Sequence, residues 1–177
     1  MKLQAMVGLA CLLAGLLTGC GPSKALKAAK TPSEASQASR QYAAGWAAYA
    51  KNDYAKALQQ WLPLAEQGVA RAQVSAGQVY EFSLTPPEYN NAVIWYRKAA
   101  EQGDPQGQSN LGLEYMLGLG VPQDYALAHM WLNLGAAGLT NAKAREATVD
   151  NLRLVETKMT AGQIAQAQKL AREWKAK

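Results

Sequence analysis

Beyond residue 20 this chain has no cysteine: its two, Cys11 and Cys20, both lie near the start. Disulfides, thiolate metal sites and a cysteine nucleophile are therefore excluded from the rest of it. Phenylalanine occurs once, so a core has to be made from Leu, Trp, Tyr and the plentiful Ala and Gly. That composition suits closely packed helices better than sheets of β-branched residues. The one histidine, His129, lies in a helical pattern beside Met130 and Trp131, where a packing role is the ordinary one. HExxH, CxxC and GxSxG are absent, and Gly118-Leu119-Gly120 has neither a following Lys-Ser or Lys-Thr nor a preceding strand, so it is no phosphate loop. Glu114 and Asp124 are candidates for a carboxylate pair, but on different helices with no pocket implied. No catalytic residue, metal ligand or cofactor is expected.

Long basic runs are missing too, the longest being the pair Arg97-Lys98. The net charge of +5 is uneven: residues 41–142 carry five basic and eight acidic side chains, residues 143–177 eight basic and four acidic. Solvated helix faces account for such ends better than a nucleic-acid surface. No nucleic-acid partner is expected.

What is present begins with MKLQAMVGLACLLAGLLTGC. The apolar stretch Leu3 to Leu17 is short and Gly-rich for a spanning helix, but it fits a secretory leader. Its ending, Leu17-Thr18-Gly19-Cys20, resembles the lipobox of bacterial lipoproteins. The resemblance implies that residues 1–19 are a signal peptide, that Cys20 is lipidated, and that the lipid holds the protein on a membrane of the cell envelope. Gly21, in place of an acidic residue, implies the outer membrane, facing the periplasm. Residues 20–38, rich in Ser, Ala, Lys and Pro, read as a flexible tether with too few large apolar groups for a core.

A phrase then repeats. Ala65–Gly68 and Ala100–Gly103 both read AEQG, 35 residues apart, and Gln73/Gln108, Gly77/Gly112 and Tyr80/Tyr115 keep that interval. Tyr54, Tyr89 and Tyr125 match, as do Ala57, Ala92 and Ala128, and Gly138 falls in register with Gly68 and Gly103. Within a unit, Ala92, Trp95, Tyr96, Ala99 and Ala100 fall on one helical face. Gly103 suits the left-handed position that closes the helix, and Asp104-Pro105 opens the next. Helix pairs at this period signify an α-solenoid. The expected fold is all-α: about three stacked helix pairs (units 53–82, 88–117 and 124–158), with a capping helix from Ser39 to Lys51 and another over 160–177 opened by a Thr160–Gln163 capping box. A kink is expected at Pro63.

The Trp-Tyr pair, AAEQG, LGxxY, GxGVPQD and AxxW occur in the order found in the Sel-one-like repeat, a relative of the tetratricopeptide repeat, and residues 41–177 resemble that family. The resemblance implies a concave surface lined by the first helix of each pair. Its candidate contacts are Lys56, Gln59 and Pro63; Asn91, Ile94 and Lys98; and Leu127, Met130 and Leu134, the last three either an open apolar patch or covered by the C-terminal cap. Trp61, Trp95 and Trp131 are expected in the core. The expected role is an envelope scaffold or adaptor for a protein or peptide. The alternative is an accessory factor that binds peptidoglycan or regulates a cell-wall enzyme, and hydrolase activity ranks last.

Overall fold

The computed structural model describes residues 32–177. The expected leader (1–19), Cys20 and the tether as far as residue 31 lie outside the described residues. The described chain forms eight α-helices: α1 (Pro32–Tyr49), α2 (Tyr54–Glu66), α3 (Ala70–Gln78), α4 (Tyr89–Glu101), α5 (Pro105–Leu117), α6 (Tyr125–Gly138), α7 (Ala142–Glu156) and α8 (Ala161–Glu173). Each helix from α1 to α6 packs on the next, and α8 returns to pack on α6 rather than α7. The architecture is an α-solenoid of the pairs α2–α3, α4–α5 and α6–α7, flanked by α1 and α8.

Side-chain caps mark most helix starts, each giving an acceptor to an amide that the helix itself leaves unbonded. Asp53 accepts from Lys56 N at 3.1 Å, Asp124 from Leu127 N at 2.9 Å and Asn141 from Ala144 N at 2.9 Å. Asp104 accepts from Gln106 N and Gly107 N, with Pro105 as the first helical residue. Thr160 and Gln163 form the capping box. Glu88 breaks the pattern: its carboxylate caps nothing and accepts from Asn91 Nδ2.

The two AEQG turns are built alike. Gly68 (φ 86°) and Gly103 (φ 83°) take the left-handed conformation that costs glycine no Cβ clash. Val69 N then reaches Leu64 O, and Asp104 N reaches Ala99 O, both at 3.0 Å. Gln73 and Gln108, each 3% exposed, donate Nε2 to Ala65 O and Ala100 O. The repeated glutamine is thus a buried latch that gives a further donor to a carbonyl already bonded by the amide of the turn glycine. Gly138 has a different job. It lies inside α6, where a Cβ would come 3.0 Å from the Cβ of Pro105.

Two boundaries differ from expectation. α1 starts at Pro32 rather than Ser39, since Ser36 and Ser39 bond back to Ser33 O and Ala35 O and carry the helix through the polar segment. Pro63 lies inside α2, where the sequence placed it, and the helix runs on to Glu66. Unit one, lacking the Gly-x-Gly that ends α5 at Gly118 and Gly120, winds on from α3 into a π-helical turn, Val79–Ser83.

Two main apolar clusters fill the array: one around Trp61, Leu64 and Val79 with α1 packed on it, the other around Tyr96, Leu111, Leu132 and Val155. Helix separation depends on the side chains at the crossing. A Cβ on Gly112 would lie 2.8 Å from Leu132 Cγ and 2.9 Å from Leu132 N, so α5 and α6 meet backbone to backbone there. Gly112→Ala should lower stability by about 1–3 kcal/mol. An unchanged urea midpoint would show that this contact does not set the spacing.

Candidate functional site

Lys56, Gln59 and Pro63 are exposed on one face of α2. On α4, Lys98 is exposed and Ile94 is 49% exposed, while Asn91 is half-buried and held by Glu88. Lys98 Nζ lies 4.2 Å from the ring centroid of Trp95, a cation–π stack that ties the charge to a half-buried aromatic. Trp95 in turn packs against the unit-one cluster. The six residues form two short faces, each on its own helix.

The third set is not an open surface. Met130 is 7% exposed, and Leu127 and Leu134 pack on the second cluster with Leu170 and Trp174. The reason is the return of α8 across α6, which lays Ala167, Leu170 and Ala171 over this helix. Leu127 and Met130 are corrected from binding residues to cap-covered core. Trp61 (1%) and Trp131 (7%) are core as expected, Trp95 only partly so.

The tail after α8 makes a second contact that the sequence did not announce. Trp174 meets Trp131 edge-on with ring centroids 5.7 Å apart. The chain then crosses the AEQG turn of unit two, where a Cβ on Gly103 would lie 3.4 Å from Ala176 Cβ and 3.6 Å from Trp174 Cη2. Lys177 N donates to Glu101 O at 2.8 Å, and Lys177 Nζ pairs with Glu101 Oε2 at 3.2 Å.

The acids likewise depart from expectation. Asp124 caps α6, and the partner of Glu114 is Glu81, on the π-helical turn. Glu114 is fully buried and Glu81 is 6% exposed. Tyr96 Oη donates to Glu81 Oε2 at 2.7 Å. With both carboxyls ionised, neither oxygen of Glu114 has a donor. A proton on Glu114 supplies one, because the acid then donates to Glu81. Burial, the Glu81 charge and this hydrogen bond together raise Glu114 to about 10. Burial raises Glu81 to about 7, against the hydrogen bonds from Tyr96 and Glu114. The pair holds at least one proton at neutral pH and joins unit one to unit two. The available signal was an acid three residues after Leu111 on the inner stripe of α5.

His129 is 1% exposed, with Nε2 3.1 Å from Glu156 Oε1. It links α6 to α7. Among the described residues no cluster of three or more His, Cys, Asp or Glu could hold a metal ion. No described helix is long and apolar enough to cross a membrane.

The Sel1 repeat model matches residues 70–104 and 105–138. Those matches begin at α3 and α5, so the family cuts the array one helix later than the pairs described above. A protective antigen of uropathogenic Escherichia coli displaying an SLR fold is similar over 96% of this chain and 38% of its own, with 27% identity and a TM-score of 0.67. A Sel1 repeat protein from Oxalobacter formigenes shares the fold over 94% of this chain and 74% of its own, at 24% identity and TM-score 0.54. An uncharacterized protein of Neisseria meningitidis serogroup B is 34% identical over 80 residues, 45% of this chain. The chain spans only 17% of that relative's length. Sel1 repeats generally mediate protein–protein contacts rather than catalysis. The repeated turns, the helix-pair stacking and these two matched segments agree: residues 70–138 match two Sel1 repeats, and the chain is similar in fold to Sel1 repeat proteins.

Proposed function

We propose that this protein is a lipid-anchored bacterial scaffold or adaptor that holds a protein or peptide on the exposed faces of α2 and α4. The observation that carries the reading is Ile94, a large aliphatic side chain 49% exposed on the same face as the Lys98–Trp95 stack. An exposed apolar centre edged by polar and cationic groups has the layout of an interaction patch. Lys56, Gln59 and Asn91 supply further polar contacts. The Leu17–Cys20 lipobox supports anchoring through Cys20, and Gly21 supports an outer-membrane site facing the periplasm.

The test is in-cell crosslinking with the full chain. Ile94→Asp combined with Lys98→Glu should cut recovery of the crosslinked partner by about tenfold or more, with the circular dichroism unchanged. Undiminished recovery would sink the face assignment. Cys20→Ala should release the protein from the membrane fraction, and a variant that still pellets with membranes removes the anchor from the reading.

A further inference from the structure

The AEQG phrase occurs twice, and the structure shows what one copy does. In unit two, the helix-ending glutamate, its carbonyl and the following glycine carry an extended segment of the same chain. Glu101 takes the backbone amide and the ammonium of Lys177, Gly103 faces Ala176 and Trp174, and Trp131 of the next unit receives the edge of Trp174. Each element has a reason. The last carbonyls of a helix carry partial negative charge and lack partners within the helix, so an amide and an ammonium suit them. The glycine at positive φ closes the turn, and the tail passes beside it within reach of a Cβ placed there.

Unit one has the same four elements in the same order. Glu66 ends α2 and is exposed, Gly68 takes the same conformation, and Trp95 stands six residues after Tyr89 as Trp131 stands six after Tyr125. No described atom lies within 4 Å of the position that a Cβ on Gly68 would occupy. Where unit two has the tail, unit one has open space among the described residues. One element differs: Lys98 lies over Trp95, where unit three has Leu134 beside Trp131. A ring that arrives edge-on takes the place of the ammonium above Trp95, and the released Lys98 stays at the solvent-facing side.

We propose that the Ala65–Gly68 turn, with Trp95, is a docking site for an extended segment of a partner protein carrying an aromatic residue and a lysine three positions later. The tail Trp174–Lys177 on unit two is the in-chain example of that ligand. This rests on the reading of the protein as a scaffold and names its partner's chemistry. It places the contact at the helix-ending turn of unit one, beside the exposed face of α4.

The probe is a peptide with the sequence of residues 171–177, AREWKAK, titrated into isotope-labelled full chain in detergent micelles and followed by amide and indole NMR shifts. Saturable shifts at Gln67, Gly68 and the Trp95 indole are expected. Glu66→Lys should weaken binding about tenfold, the scale of one lost charge-assisted contact. A peptide with Trp and the last Lys both replaced by Ala should leave the spectrum unmoved. A full chain carrying Trp174→Ala and Lys177→Ala provides the positive control, because its vacated unit-two turn should bind the peptide and shift Gly103. Shifts at Gly103 in that variant with none at Gly68 in either protein overturn the proposal, as do Gly68 shifts that survive in the alanine peptide. Self-association of the chain that depends on Glu66 would identify the partner as a second copy and support the site. Loss of peptide binding with crosslinking through Ile94 and Lys98 intact would refute the turn site alone.

Discussion

Trp61→Ala should cost the folded protein about 3–5 kcal/mol, the range for deleting a large buried aromatic. The ring is 1% exposed. Its centroid lies 6.1 Å from Tyr42, 5.1 Å from Trp46 and 5.9 Å from Tyr49, three rings of α1, and its Nε1 donates to Tyr42 O at 3.1 Å. Gly45 of α1 lies directly against the indole. Truncation therefore leaves a cavity, removes the indole's hydrogen bond to a helix carbonyl, and takes away the residue on which α1 rests. Urea unfolding should show the full loss, while hydrogen exchange should rise first in α1 and only later in α5 and α6. A loss below about 1 kcal/mol would mean that α1 collapses onto the gap.

Glu114→Gln should stabilise the protein at alkaline pH and have little effect in acid. Both carboxyls of the Glu81–Glu114 pair have folded-state values raised from 4.5, to about 7 and about 10. A raised carboxyl favours the protonated folded form, so its contribution is intact below pH 4.5 and is lost as pH rises through the folded value. Between pH 7 and 10 the native protein retains the proton on Glu114 that the unfolded chain has released. Each pH unit in that window costs about 1.4 kcal/mol per retained proton. The amide that this substitution introduces donates to Glu81 as the neutral acid does, without a proton to lose. Urea midpoints at pH 5, 7 and 9 should fall steeply for the parent between 7 and 9 and much less for the variant. Parallel profiles would show that Glu114 is not the group retaining the proton.

The repeat was legible because its causes are local. The AEQG turns, the Asp and Thr caps and the small residues at helix crossings act within a few residues of themselves, and each was found where the sequence placed it. Gly138 shows the limit: the same interval carries a glycine for two reasons, positive φ at Gly103 and close contact with Pro105 at Gly138, and spacing does not separate them. The burial of Met130 depends on α8 crossing back over α6, a contact between segments separated by the whole of α7 that no periodicity encodes. Glu114 was read with Asp124, its nearer neighbour in sequence, because the π-helical turn that delivers Glu81 leaves no mark in the hydrophobic pattern. The start of α1 was missed because Ser, Gln and Ala there look like a linker, yet the serines satisfy carbonyls within a helix.

The return of α8 also sets an order of assembly on a chain made from its N-terminus. Units one and two can close as they appear, since each helix from α2 to α5 packs on the one before it. The inner face of α6 has to wait: Leu127, Met130 and Leu134 gain their cover only after α7 has been completed and α8 follows. For that interval the nascent protein exposes a greasy strip that the finished one hides, and a holding factor would act there.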